Sequence, residues 1–350
     1  MLSPRHAPHP VLAITAGDPC GIGPEVILKA LQTARLPRPA ECTSRDGRNV
    51  RIIVIGDWRV FRETAARLRL RAPTWSRVGQ GAALPSARVS FVDADHRGAF
   101  RPGHSSAAAG LASLHYLKTA LDLWRCGLVQ GLVTAPVTKW AIQRALPSFE
   151  GHTEWLASRL PPSWPVMAFV SPHLRVILLT RHLALRDVSR AVTPRLVERA
   201  IRVVVDSLRR DFGVRRPCLA VCGLNPHAGE AGRFGNEERR ILRPVLRRLS
   251  KEAVRLEGPF AADGFFATLG RTARATAAEE YDAVICWYHD QGLIPFKLLA
   301  RDQGCQMTMG LPLVRTSPDH GSALDLAGRG VAHPGSMRYA ITLASQLIAR

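Results

Sequence analysis

Apolar and polar positions follow two rhythms along the chain. Apolar runs of strand length recur at Val11–Thr15, 52–55, 89–92, 128–134, Val166–Val170, 176–180, 219–222 and 283–288. Between them, apolar residues return every three or four positions, the spacing of a helix with one buried face. This holds for 24–32, 57–70, 105–124 (Leu111, Leu114, Leu117, Leu121, Trp124), 194–208 (Leu196, Val197, Ala200, Ile201, Val204, Leu208) and 337–349. Thr193-Pro194 reads as an N-cap followed by proline in the first turn. Asn236 reads as the cap of the next helix, which Pro244 kinks or restarts. Strands alternating with helices predict an α/β protein around a largely parallel sheet. With 350 residues, two lobes are expected. The polar, proline-containing stretch 38–48 predicts an exposed insertion.

Composition narrows the class. No apolar run reaches the roughly 18–20 residues a membrane helix needs, so no membrane partner is expected. The first ten residues lack the basic start, apolar stretch and cleavage site of a signal peptide. The seven cysteines are scattered, odd in number and without a C-x-x-C pair, which predicts a reducing, cytoplasmic setting. The net charge of +20 is the unusual total, and only five of the 48 basic residues are lysines. The arginines are spread (Arg35, Arg67, Arg125, Arg199, Arg247, Arg329), with no long basic run and no aromatic-rich motif. An arginine-rich solvated surface is therefore expected rather than nucleic-acid binding, and its field would favour an anionic small substrate.

Four constellations carry chemistry. Gly17-Asp-Pro-Cys-Gly-Ile-Gly-Pro-Glu25 joins a strand to a helix, but Val26 stands where the dinucleotide fingerprint has its third glycine. A structural turn and a binding loop are both open there. His182, His227 and His289 each follow a predicted strand. In an open parallel sheet, strand ends of this kind meet at the ligand edge. Three imidazoles could hold one divalent ion, and all-nitrogen ligation leans towards zinc or cobalt over magnesium; packed or solvated histidines are the alternative. The third set, Gly151-His-Thr-Glu154, Lys297 and Arg315, suits an anion, with Lys297 either snorkelling from an apolar run or placed for substrate. The fourth, Asp319-His-Gly-Ser-Ala-Leu-Asp325, suits a loop around a nucleotide or an ordinary helix-start loop.

Together these stretches, with Thr134-Ala-Pro-Val-Thr-Lys139, Cys222-Gly-Leu-Asn-Pro-His-Ala-Gly-Glu230, Tyr288-His-Asp-Gln-Gly292 and Arg315-Thr-Ser-Pro-Asp-His-Gly-Ser-Ala323, resemble the 4-hydroxythreonine-4-phosphate dehydrogenase family of vitamin B6 biosynthesis. The resemblance covers nearly the whole chain. It implies an isocitrate/isopropylmalate dehydrogenase-like α/β fold of two α/β/α lobes with a cleft between them. The first lobe would comprise 1–147 and 325–350, the second 148–324, carrying the metal ligands and dimer contacts. It implies His182, His227 and His289 as ligands of one zinc, cobalt or magnesium ion, with His289 donated by the other subunit of a homodimer that shares its active site. His152, Thr153, Lys297 and Arg315 become substrate contacts, and the family's substrate asparagine falls at Gln306, one methylene longer. Gly321, Ser322 and Asp325 match the cofactor loop for NAD, with NADP the alternative, and Asp263 and Asp290 are catalytic or supporting candidates. The implied reaction oxidises a phosphorylated hydroxy amino acid and decarboxylates the product. The rival readings are a paralogue acting on 4-phosphothreonate, 4-phosphoerythronate or a cyclic dihydrodiol dicarboxylate, a three-histidine zinc hydrolase working without nicotinamide, and a nucleic-acid binder resting on charge alone.

Overall fold

Runs of five or six consecutive apolar residues produce strands buried on both faces, as strands of parallel sheets are. The computed structural model describes residues 9–32, 49–79, 86–94, 96, 98–161, 164–271 and 280–350, so the expected insertion at 38–48 lies outside the described residues. The chain divides into two units, Met1–Leu160 with Leu313–Arg350, and Pro161–Pro312.

The first unit holds β1 (Val11–Thr15), β2 (Arg51–Gly56), β3 (Ser76–Val78), β4 (Val89–Asp93), β5 (Gly131–Thr134) and β12 (Val314–Ser317). Their order is β3-β4-β2-β1-β5-β12, parallel throughout. The connection after β1 runs to β2 on one side, whereas β5 and β12 lie on the other. The carboxyl ends of β1 and β5 therefore flank the topological switch point, where ligands of open α/β sheets bind. The Ala107–Arg125 helix starts at Ser106, whose Oγ accepts from Ala109 N at 3.2 Å. Its buried face differs from the predicted leucine stripe: Leu111 is 45% exposed, and Ala109, Ala112, Tyr116 and Ala120 pack inward beside Leu114, Leu117 and Leu121. On the Gly23–Gln32 helix, Lys29 Nζ binds Glu25 Oε1 at 2.6 Å and donates to the carbonyls of Gly330 and Ala332. That bond set fastens the loop after β12 to the helix.

The second unit holds β6 (Val166–Val170), β7 (Arg175–Leu178), β8 (Cys218–Cys222), β9 (Arg255–Phe260), β10 (Ala283–Cys286) and β11 (Cys305–Met309), ordered β11-β6-β7-β10-β8-β9. The sheet is parallel from β7 to β9, but β6 runs antiparallel to both its neighbours. The reason is local: only residues 171–174 separate β6 from β7, too few for a parallel crossover. Thr193 Oγ1 caps the Pro194–Arg210 helix through Leu196 N, as expected, and Val197, Ala200, Ile201, Val204 and Leu208 are buried. Asn236 stands at the start of the next helix, its carbonyl accepting from Arg240 N at 2.8 Å, but its side chain does not cap it; Oδ1 accepts from Arg239 Nη2 at 2.8 Å. A π turn spans Glu238–Leu242 and the α-helix Arg243–Leu249 restarts with Pro244 in its first turn. Pro244 has no N–H to donate backwards, and the wider turn accommodates that.

The unit boundaries fall near 160 and 312, compared with the expected 147 and 324. Pairing of β12 with β5 carries Arg315 into the first unit. An Arg125 Nη2 bond to Arg159 O ties the chain ahead of residue 160 to the same unit. Among the described residues, no helix is long and apolar enough to cross a membrane.

Candidate active site

At the switch point of the first unit, Gly17 follows β1 with φ +70°, and a Cβ there would stand 2.3 Å from Pro136 O. Glycine alone lets the end of β1 close on the loop after β5, where Asp18 N donates to Pro136 O at 2.9 Å. The Asp18 carboxylate is buried and used internally: Oδ1 accepts from Cys20 N at 2.8 Å and Oδ2 from Ser105 Oγ at 2.6 Å. The glycine-rich segment is thus a braced turn in its carboxylate chemistry. It also docks the late loop, since Ile22 N donates to Ser322 O and Thr138 Oγ1 donates to Ser322 Oγ, both at 3.0 Å.

Arg315 on β12 is 3% exposed, and its Nη2 and Nε reach Thr134 Oγ1, the last residue of β5, at 2.6 and 3.2 Å. His152 opens the His152–Ala157 helix, and Thr153 beside it is buried. Burial first, then the charges of Arg315 and Lys139, hold the His152 imidazole well below its usual range. His152 is therefore neutral at neutral pH. Lys139 passes over Gly151, where an added Cβ would lie 3.8 Å from Nζ. An arginine, a lysine and a neutral imidazole converging on one strand edge form a receptor for phosphate or carboxylate. Thr134 and Lys139 were not singled out in the sequence as site residues. Their signal was position, at and just beyond the carboxyl end of an apolar strand.

In the second unit, Leu179 N and Thr180 N donate to the carbonyls of Cys286 and Trp287, tying the end of β7 to the end of β10. This brings the rings of His182 and His289 to 6.3 Å between centroids. Two imidazoles sharing one ion through ~2.1 Å metal–nitrogen bonds can span such a spacing. His289 Nδ1 lies 2.7 Å from Asp290 Oδ1. A proton held there leaves the Nε2 lone pair outward, the arrangement common among metal-ligating histidines. Gln291 accepts from Trp287 N and donates to Gly223 O, each at 2.8 Å, which links this turn to the end of β8. The third histidine is separate: among the described residues, no group of three or more His, Cys, Asp or Glu side chains is placed to hold a metal ion. The donor chemistry fits a divalent ion as a partial set, His182 with His289, and one chain by itself does not add His227 to it.

His227 sits in an unusual turn. Residues His227, Ala228, Gly229, Glu230 and Ala231 all have positive φ, between 38° and 81°. A left-handed turn costs about 1–2 kcal/mol for each L-residue with a Cβ, so its surroundings must impose it. The His227 ring is exposed, with its centroid 6.1 Å from that of Phe234.

The remaining candidates lie on several elements. Lys297 is exposed on the His289–Ala300 helix, whose buried residues are Gly292, Leu293, Phe296 and Ala300, so the apolar run around it is split by helical geometry. Gln306 is buried on β11, donating to Thr308 Oγ1 at 3.1 Å. Asp263 is exposed in the first turn of the Ala262–Arg271 helix. In the first unit, Asp325 is exposed, and a Cβ added at Gly321 would meet nothing within 4 Å. Next to Gly321, His320 Nε2 is buried without a hydrogen-bond partner, the kind of atom a bound ligand satisfies. The loop therefore fits a cofactor.

The family model described as pyridoxal phosphate biosynthetic protein PdxA matches residues 48–344. A 4-hydroxythreonine-4-phosphate dehydrogenase of Erythrobacter litoralis is 38% identical over 351 residues, covering 98% of each chain. The crystal structure of a 4-hydroxythreonine-4-phosphate dehydrogenase from Klebsiella pneumoniae superposes with a TM-score of 0.81 at 34% identity, covering 98% of this chain and 99% of that one. A terephthalate 1,2-cis-dihydrodiol dehydrogenase from Burkholderia xenovorans is also similar, with a TM-score of 0.62 and 30% identity over 97% of this chain and 98% of that one.

Proposed function

The chain belongs to the PdxA family of pyridoxal phosphate biosynthetic proteins, and on that premise we propose that it is a 4-hydroxythreonine-4-phosphate dehydrogenase. It oxidises the secondary alcohol of 4-phosphooxy-threonine to a 3-oxo acid, which loses carbon dioxide to give 3-amino-2-oxopropyl phosphate. The observation that carries this reading is the buried Arg315–Thr134 contact beside neutral His152, built for an anion.

In the oxidation, the alcohol carbon gives up hydride and its oxygen gives up a proton. In the second step the bond to the carboxylate breaks, and its electron pair stays on the adjacent carbon, which then takes a proton. NAD (or NADP) and one zinc, cobalt or magnesium ion, when bound, would supply the hydride acceptor and Lewis-acid stabilisation of negative charge on oxygen. His182, His227 and His289 would hold the ion; Gly321, Ser322 and Asp325 would hold the cofactor. A carboxylate at Asp325 accepts from a ribose 2′-hydroxyl and repels a 2′-phosphate, which favours NAD. The Arg315 fork, with Thr134 setting its direction, binds the phosphate. His152, uncharged at neutral pH, adds a directional hydrogen bond, and Thr153, Lys297 and Gln306 complete the substrate contacts. Binding energy from the phosphate positions the alcohol some atoms away. Asp290 orients His289, and Asp263 is a candidate for proton relay.

A carboxylate suits the same basic site, and similarity to a dihydrodiol dehydrogenase favours a cyclic dihydrodiol dicarboxylate as the second reading. Formation of NADH by the purified protein decides, with 4-phosphooxy-threonine, 4-phosphothreonate, 4-phosphoerythronate and a cyclic dihydrodiol dicarboxylate in parallel. The first should lead by about 10²-fold or more in kcat/KM. A higher value for any other member of the panel transfers the assignment to it.

We also infer that a second copy takes part in the metal site: the resemblance draws His289 from the other subunit, whereas within one chain His289 already lies beside His182 and His227 is the histidine left for a second copy to supply. Ile294 (67% exposed) and Leu298 (76%) stand one turn apart on the His289 helix, and Leu185 (71%) follows closely after His182. Apolar side chains this exposed beside functional histidines support an interface there. Replacing Ile294 and Leu298 together by aspartate should halve the mass seen by light scattering and abolish turnover. An unchanged dimer with full activity would remove this face from the interface.

A further inference from the structure

We propose that Glu238, supported by Glu237, is a positioning residue that holds His227 in the conformation needed for ligation. The proposal rests on the assignment of His227 to the metal made above. Five successive residues of the His227 turn have positive φ and four of them carry a Cβ, so local preference does not maintain it. The constraint must come from outside the turn, and Glu238 is placed to supply it.

Glu238 is 2% exposed and lies 13 residues beyond Asn225, yet it grips that residue, at which the turn starts. Its Oε1 accepts from Asn225 N at 2.8 Å and its Oε2 from Asn225 Nδ2 at 3.0 Å. Glu237 Oε2 accepts from the same amide nitrogen at 2.8 Å and from Asn236 N at 3.0 Å. Asn225 O in turn accepts from Ala228 N at 3.1 Å, inside the left-handed segment. The turn backbone also lies against the carboxylate: a Cβ at Gly229 would stand 2.7 Å from Glu238 Oε2. Behind the loop, Gly223 N donates to Phe260 O at 2.6 Å and Gly223 O accepts from Gln291 at 2.8 Å. The segment is thus pinned on one side to β9 and the His289 turn and on the other to Glu238. Bonds from N–H donors to both oxygens of a buried carboxylate are directional, which suits a clamp on a strained backbone.

Glutamine in place of Glu238 keeps the shape but offers one acceptor where two donors of Asn225 point, so half of the grip is lost. Alanine loses all of it. The test is cobalt(II) titration of the metal-free, full-length protein without substrate, together with amide exchange across 224–236 and thermal unfolding. Glu238→Ala should weaken cobalt about 10–100-fold, Glu238→Gln less, and exchange at 227–231 should quicken in both. If Glu238→Gln lowers only the melting temperature while cobalt binds as in the wild type, the carboxylate is merely structural and the proposal is wrong. Wild-type protein that binds no cobalt, or binds it equally after His182→Ala, overturns the metal assignment instead. The exchange measurement then decides the clamp alone: faster exchange confined to the turn upholds it, and unchanged exchange overturns it.

Discussion

Arg315→Ala should lower kcat/KM for the phosphorylated substrate by roughly 30- to 4,000-fold. The range is the 2–5 kcal/mol typical of truncating one partner of a buried, hydrogen-bonded charge pair, converted at 1.4 kcal/mol per decade. Arg315 is 3% exposed and aimed by two bonds to Thr134, so water has little room to replace the guanidinium. Because binding energy from the phosphate positions the reacting alcohol, kcat should fall as KM rises. Arg315→Lys keeps the charge but not the planar fork, and should fall between the two. Steady-state kinetics of both variants, with melting temperatures recorded beside them, separate lost binding from lost fold. Near-wild-type kcat/KM in Arg315→Ala would dismiss the basic site as the phosphate receptor.

His227→Ala should reduce turnover to the level of chelator-treated wild type, about 10³-fold or more down. A Lewis acid stabilises developing negative charge by several kcal/mol, and every 1.36 kcal/mol is tenfold in rate. Chelation followed by addition of zinc, cobalt or magnesium should restore the wild type and not the variant. Because His227 is exposed on its turn, the substitution leaves no cavity, and far-ultraviolet circular dichroism should be unchanged. Activity indifferent to chelator, or retained by His227→Ala, would end the metal assignment.

Much of the fold is legible because its cause is local. β1, β2, β6 and β10 are short, almost continuous apolar runs, the pattern of strands buried on both faces. Thr193-Pro194 starts a helix through one side-chain bond and one fixed φ, both within three residues. β11 and β12 escaped because Cys305-Gln-Met-Thr-Met309 and Val314-Arg-Thr-Ser317 mix polar with apolar residues, although all nine are buried. Their polar side chains find partners such as Thr134, far away along the chain. The His289–Ala300 helix was hidden by Pro295, a residue usually excluded from helix interiors.

The candidate site divides the same way. The amino-acid sequence alone determined the family, the α/β class and the residue types at each strand end, because these reside in motifs a few residues long. Tertiary structure decided which of those residues meet. Arg315 reaches Thr134 across 181 positions because β12 pairs with β5. His182 approaches His289 because the ends of β7 and β10 are tied, while His227 is held on its own left-handed turn. That turn is the clearest case: no local preference of histidine, alanine or glutamate favours positive φ, and a glutamate pair 12 and 13 residues on fastens Asn225, where the turn begins. Strand order, register and such distant hydrogen bonds are properties of the packed chain, and no short stretch of sequence contains them.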